Sequence, residues 1–147
     1  KVALVVIVQP LHGQRGFSLS GSMAAVTTSD NPSPYLNLSY LAVPRDNLKH
    51  SVADLLGLRL AVGLSNAKGV IGSSGSLKVH FLGHSLVAIS GTNLLAVSNQ
   101  PIVNAQADSL FKFDTGGLAM QGGGIAPLLL NSPSFGPTIK MGVLASG

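Results

Sequence analysis

Residues 77–118 read LKVHFLGHSLVAISGTNLLAVSNQPIVNAQADSLFKFDTGGL, and an apolar residue recurs through this stretch at nearly constant intervals. The first interval is nine residues and every later one is eight, at Leu77, Leu86, Leu94, Ile102, Leu110 and Leu118. Ser, Gly, Asn, Asp and Pro, which favour turns, fill much of the intervals. A short strand followed by a short turn has this period, so the stretch predicts a series of short β-strands.

Alternating apolar residues predict further strands outside this stretch. Five segments have an apolar residue or glycine at every second position, namely residues 2–8, 17–23, 36–40, 58–64 and 139–143. Residues 46–56 have helical spacing instead, with Asp46 as the N-cap and Gly57 at the end. We predict an all-β fold, an antiparallel β-sandwich or jelly roll with one short helix at 46–56. The alternative is a trimer with β-spiral-like repeats in the second half.

The composition predicts one domain and an oligomer. The chain length fits a single domain over residues 1–147, in which the Gly/Ser cluster at 71–76 is a weak candidate seam. Only 10% of the residues are charged, against about a quarter in typical globular domains. So little charge favours burial of the surface against copies of the same chain, so we predict a homo-oligomer, with a trimer favoured. A neutral surface rich in Ser, Gly and Asn is the other explanation.

Composition also argues against several classes of function. No apolar stretch reaches the length of a membrane-spanning helix. The nine Lys and Arg residues are scattered singly, which argues against nucleic-acid binding. Cysteine is absent, which excludes disulfides and thiolate metal sites. His80 and His84 have the spacing of a helical metal site, but on a strand they lie about 13 Å apart. We therefore predict no metal and no cofactor.

The second half of the chain resembles the shaft repeats of adenovirus and reovirus attachment fibres. The strings Leu94–Val97, Pro101–Val103, Ser109–Phe113 and Gly117–Met120 alternate with turns, and looser copies extend the resemblance over residues 57–121. The resemblance implies short strands whose apolar residues face the axis of a trimer. It predicts a structural or recognition protein, a viral capsid- or fibre-like component without catalysis. The expected location is extracellular or in a virion.

A carbohydrate-binding β-sandwich is the second candidate function. Its binding loops would be residues 28–35 and 121–124. The residues that could form a sugar-stacking edge are Asp30, Asn31, Tyr35 and Tyr40. A glycan is the ligand that this hypothesis implies.

An enzyme is the remote alternative. Phe113-Asp114-Thr115-Gly116 resembles the active-site loop of aspartic proteases, which implies a hydrolase that uses Asp114. The resemblance covers four residues, and Asp114-Thr115-Gly116-Gly117 is equally typical of a hairpin turn. No Gly-x-Ser-x-Gly motif is present, so a serine hydrolase has no support in the sequence.

Overall fold

The computed structural model describes residues 2–18, 25–29, 31–71, 77–122 and 124–145. About half of these residues are helical and about a tenth are in strands. The helices are α1 (Ala42–Ala67), α2 (Leu86–Ser98), α3 (Ala105–Phe111), α4 (Ile125–Leu130) and α5 (Gly136–Ala145). The strands are β1 (Phe17–Ser18), β2 (Ala25–Val26), β3 (His80–His84) and β4 (Thr115–Ala119). The predictions of an all-β sandwich or jelly roll and of β-spiral repeats are therefore wrong.

Helix α1 is longer than the helix predicted at 46–56. It continues through Gly57 and includes residues 58–64, for which the alternation predicts a strand. A Cβ atom at Gly57 would meet nothing within 4 Å, so packing does not end the helix there. The buried residues of this part of the chain recur every four residues, at Ser51, Leu55, Arg59 and Gly63. This spacing places them on one helical face. The alternating apolar residues at 58–64 indicate a strand instead, so the helical spacing is hard to recognise in the sequence.

Strands β3 and β4 form a parallel pair, in which His80 lies opposite Thr115 and His84 opposite Ala119. Parallel strands require a long connection, and helices α2 and α3 provide it here. The predicted hairpin turn at residues 114–117 is therefore wrong, because β4 begins at Thr115. The strand expected at His80 and His84 is confirmed.

Helix α2 replaces two of the predicted short strands. Leu86 and Leu94 both lie in it, as do the turn-favouring residues Ser90, Gly91 and Asn93 between them. An interval of eight residues is close to two helical turns of about 3.6 residues each, so the repeat fits a helix as well as a strand and a turn. Its buried residues are mostly small, namely Ala88, Ser90, Gly91, Leu94 and Ser98. Small side chains permit close packing of α2 on the parallel pair.

Three prolines lie near the starts of helices. Pro44, Pro127 and Pro137 each lie within the first three residues of a helix. The first N–H groups of a helix have no partner within it, so proline is tolerated there. Residues 139–143, which alternate like a strand, belong to α5, and Ile139 is its buried apolar residue.

Strands β1 and β2 form a short antiparallel pair, with Phe17 opposite Val26. Residues 19–23 of the strand predicted at 17–23 lie outside the described residues. Residues 2–8 form no strand, and Val2 is fully exposed. Residues 36–40 form bends instead of a strand, because the Asn37 side-chain oxygen accepts the backbone N–H groups of Ser39 and Tyr40.

The chain divides into two compact units. One comprises Lys1–Ser51 with Ala126–Gly147, and the other is Val52–Ile125. The single domain with a weak seam at 71–76 stays a prediction. In the described parts of the chain, no helix is both long and apolar enough to cross a membrane.

Candidate active site at the Ser85 turn

Ser85 lies between the end of β3 and the start of α2, with backbone angles φ 54° and ψ −121°. A positive φ in a residue other than glycine costs about 1–3 kcal/mol and occurs preferentially at functional sites. Among the described residues other than glycine, a positive φ occurs at Leu11, Ser85 and Met120. Ser85 is also exposed to solvent. We call residues Gly83–Val87 the Ser85 turn.

Backbone hydrogen bonds fix Ser85 on both sides. Its N–H donates to the carbonyl oxygen of Ala119, at the end of β4, over 2.9 Å. Its own carbonyl oxygen accepts the N–H groups of Ala88 at 2.9 Å and Ile89 at 3.0 Å, which starts α2. The Ser85 side chain makes no capping hydrogen bond. The backbone is therefore held by the sheet and the helix, and the hydroxyl is not used to cap the helix.

Glycine is required two residues before Ser85. A Cβ atom on Gly83 would lie 2.9 Å from the Val87 carbonyl oxygen and 3.1 Å from the Ala88 Cα atom. Both are backbone atoms of α2, which cannot move away as a side chain can. The absence of a side chain at Gly83 therefore allows α2 to begin this close to β3.

The Phe81 ring packs beneath the same turn. A Cβ atom on Gly91 would overlap the Phe81 ring, so the ring occupies the space that this glycine leaves on α2. Phe81 also packs edge-to-face on Phe113, with ring centroids 5.8 Å apart. Aromatic pairs in this arrangement contribute about 0.5–1.5 kcal/mol beyond their buried area.

Arg59 connects α1 to the segment that precedes β4. Its Nε donates to the Lys112 carbonyl oxygen at 2.8 Å, and its Nη2 donates to the Ser109 carbonyl oxygen at 3.3 Å. The guanidinium carbon also lies 5.6 Å from the centroid of the Phe113 ring. Burial lowers the pKa of Arg59, and the nearby Asp114 carboxylate opposes that shift. These contacts fix the amino-terminal end of the β3–β4 pair, opposite the Ser85 turn.

The predicted sugar-binding residues do not form an aromatic edge in this structure. Tyr35 is only 1% exposed, and its hydroxyl lies 2.6 Å from the Ser51 hydroxyl, whereas Tyr40 is 70% exposed. Asn31 is exposed, and its side-chain oxygen accepts the Ser33 N–H at 2.9 Å. Asp30 lies outside the described residues. The binding role of these four residues stays a prediction.

The other residues singled out from the sequence lie at the ends of β3 and β4. The Asp114 carboxylate accepts the Val79 N–H at 2.7 Å, which joins the two strands at their start. His80 Nδ1 lies 2.7 Å from the Thr115 hydroxyl, and His84 is exposed at the last position of β3. Among residues 2–18, 25–29, 31–71, 77–122 and 124–145, no three His, Cys, Asp or Glu side chains form a potential metal site.

Sequence reasoning misses Ser85. The complete Gly-x-Ser-x-Gly pattern fails because Val87 occupies its last position. The signal that could have found the site is Gly83-His84-Ser85, directly after an alternating strand and before an apolar segment. Neither the strand-to-helix switch nor the positive φ of Ser85 is evident from the residue types.

Comparison with known proteins identifies one informative relative. Over 134 residues, the chain is 50% identical to an extracellular lipase from Aeromonas hydrophila. The match covers 88% of this chain and 18% of the relative's own length. The chain thus spans about a fifth of that lipase. No protein-family profile matches the chain, and no solved structure matches it.

This relative corrects the predictions drawn from the fibre resemblance. The chain matches a lipase and no fibre protein, and residues 57–121 include helices α2 and α3 and part of α1 instead of shaft repeats. The predicted viral capsid- or fibre-like role and the absence of catalysis are therefore wrong, and the predicted virion location has no support. The carbohydrate-binding alternative also loses its basis, since the predicted β-sandwich is absent from the described residues.

Proposed function

We propose that Ser85 is the nucleophile of a serine hydrolase that cleaves carboxylic esters. The observation that carries the proposal is the backbone conformation of Ser85, which has a positive φ and lies on the turn between β3 and α2. A serine on a strained strand-to-helix turn is typical of the nucleophile elbow of α/β-hydrolases. The 50% identity to a lipase independently supports the same chemistry.

The elbow differs from its usual pattern at one position. Val87 stands where the motif has its second glycine. The side chain of Val87 is half-buried, and the backbone carbonyl oxygen of Val87 lies beside Gly83. The close approach of α2 to β3 is therefore made at Gly83. We therefore expect Gly83 to be required for the turn and Val87 to be compatible with it.

In the proposed reaction, Ser85 Oγ attacks the ester carbonyl carbon while a general base accepts its proton. The carbonyl oxygen becomes an oxyanion, and the C–O bond then breaks to release the alcohol, which takes that proton. Water attacks the resulting acyl-Ser85 and releases the carboxylic acid. The N–H of Leu86, at the amino end of α2, is the proposed oxyanion donor. The first N–H groups of a helix lack partners within it, and the helix dipole there favours negative charge.

The two histidines of β3 are poor candidates for the general base. His80 opens β3 and Ser85 follows its last residue, which separates them by about 16 Å at about 3.3 Å per residue. The His80 ring is also engaged with Thr115. His84 immediately precedes Ser85, and we expect neighbouring side chains at a strand end to point to opposite sides. We propose that the base is supplied from outside β3.

The name of the relative suggests the substrate class and location. We propose esters of fatty acids as substrates and an extracellular site of action, since the relative is an extracellular lipase. The homo-oligomer and the glycan ligand have no support in the fold or in the relative, and they stay predictions.

Covalent labelling tests the proposal. The native protein that carries these 147 residues is treated with a fluorophosphonate probe, and the modified peptide is identified by mass spectrometry. We expect modification at Ser85, and we expect Ser85→Ala to abolish labelling and to lower ester hydrolysis by at least about a thousandfold. Ser109→Ala, which changes an exposed serine of α3, is the control that should leave both unchanged. Hydrolysis that persists in Ser85→Ala would disprove the proposal.

A further inference from the structure

Met120 occupies a strained position directly beside Ser85. It follows the last residue of β4, Ala119, whose carbonyl oxygen accepts the Ser85 N–H at 2.9 Å. The φ of Met120 is 58°. Ser85 thus bonds to the residue that precedes Met120, and both Ser85 and Met120 are among the three described residues other than glycine with a positive φ. Parallel strands carry binding sites at their carboxyl ends, and both residues lie at that edge of the β3–β4 pair.

Methionine is an unusual residue at position 120, because the backbone there has a positive φ. Asn, Asp or Gly adopts a positive φ at lower cost than Met. Met120 is nevertheless apolar and 78% exposed, so burial within the fold does not offset the strain. Gly122 and Gly124, which follow it, also have positive φ and add no side chain to this loop. Of residues 120–122, Met120 is therefore the one with an apolar side chain.

We propose that Met120 is a specificity-determining residue that contacts the acyl chain of the ester bound at Ser85. This inference rests on the proposed function of Ser85. An acyl chain bonded through its carbonyl to Ser85 Oγ would begin near the Ala119 carbonyl, to which the Ser85 N–H donates, and Met120 is the next residue along the chain. Met is flexible and polarizable, and such side chains adapt to apolar ligands of different length. Burial of the thioether by the acyl chain would supply the contact that the free protein lacks.

A chain-length series of p-nitrophenyl esters tests the inference. For Met120→Ala we expect kcat/KM for octanoate and longer esters to fall about tenfold, which is typical for the loss of a small apolar contact. The acetate ester, whose acyl group is too short to reach the thioether, should change less than about twofold. Met120→Leu should restore most of the activity on long chains. Val97→Ala is the control, since Val97 is 53% exposed and lies about 18 Å along α2 from Ser85.

Met120→Gly separates specificity from structure. Glycine tolerates the positive φ, so this variant should unfold at or above the wild-type temperature while it loses activity on long chains as Met120→Ala does. An equal loss on acetate and octanoate, or an unchanged chain-length profile, would overturn the inference about Met120 while labelling at Ser85 persists. If the wild-type protein is not labelled at Ser85, the proposed function and this inference are both wrong.

Discussion

The backbone N–H of Ser85 and the carbonyl oxygen of Ala119 form a 2.9 Å hydrogen bond across the carboxyl edge of the parallel pair. This bond joins the proposed nucleophile to a strand that begins 30 residues later, at Thr115. The strained φ of Ser85 is therefore maintained by a contact distant in sequence. Strain of this kind persists only where the surrounding structure fixes the residue.

Gly83→Ala should inactivate the site. The new methyl group would lie 2.9 Å from the Val87 carbonyl oxygen, so α2 must move relative to β3 or the Ser85 turn must change its backbone angles. We expect fluorophosphonate labelling of Ser85 to fall at least about tenfold, because small displacements of catalytic groups are costly. Gly57→Ala is the control, because it introduces a methyl group into open space, whereas Gly69 is unsuitable because its φ is 69°. Wild-type labelling of Gly83→Ala would show that the close approach is not needed.

Gly57→Ala and Gly91→Ala should change stability in opposite directions, although both glycines are in helices. A methyl group at Gly57 would have no neighbour within 4 Å, so alanine should raise the free energy of unfolding by about 0.5–1 kcal/mol. At Gly91 the methyl group overlaps the Phe81 ring, and such overpacking typically costs about 1–3 kcal/mol. Urea unfolding of the two variants measures both effects. A stabilising Gly91→Ala would show that displacing the ring costs less than alanine gains over glycine in a helix.

Elements with an unambiguous local periodicity can be predicted from this sequence, whereas those that depend on contacts between elements cannot. The helix at 46–56 is found because Leu48, Val52, Leu55 and Leu56 recur with helical spacing over local sequence. The strand at His80 and His84 is found from alternation. Leu86 and Leu94 are misassigned because a spacing of eight residues satisfies both a strand with a turn and two helical turns. The contact between Gly91 and Phe81, which favours the helix, links different elements and has no local signal.

The candidate site is harder to predict than the fold. Serine has no preference for positive φ, so nothing in the residue type marks Ser85 as strained. The Ala119 carbonyl that fixes it becomes its neighbour only after β4 pairs with β3. The burial of Tyr35 is equally hard to predict, because an aromatic residue in a polar loop suggests a surface position, yet this side chain is only 1% exposed. Its hydroxyl contacts that of Ser51, sixteen residues away in sequence, and such a contact has no local signal.

Arg59→Lys should destabilise the protein although the charge is unchanged. Lysine cannot reproduce the planar guanidinium that donates to the Lys112 and Ser109 carbonyl oxygens, so these acceptors lose their partners. We expect a loss of about 1–3 kcal/mol in the free energy of unfolding. Arg45→Lys is the matched control, because Arg45 pairs with Asp46 on the surface and its side chain is 62% exposed. Equal stability of the two variants would contradict a role for Arg59 beyond its charge.

Tyr35→Phe should lower stability and also change its dependence on alkaline pH. The hydroxyl lies 2.6 Å from that of Ser51, and loss of one such hydrogen bond costs about 0.5–1.5 kcal/mol. Burial raises the pKa of the Tyr35 phenol above its ordinary value of 10.0, so the folded state holds this proton more tightly than the unfolded state. The contribution of this group is therefore complete below pH 10.0 and is lost as the pH rises through the folded-state pKa.

Urea unfolding between about pH 8 and about pH 11 separates the two effects, since this range brackets the ordinary tyrosine pKa. Wild type should lose more stability over this range than Tyr35→Phe, because the variant lacks the phenol that the folded state protects. Tyr40→Phe is the control, since Tyr40 is 70% exposed, and it should retain the wild-type decline. An identical decline in wild type and Tyr35→Phe would mean that the Tyr35 proton is held equally in the folded and unfolded states, contrary to its burial.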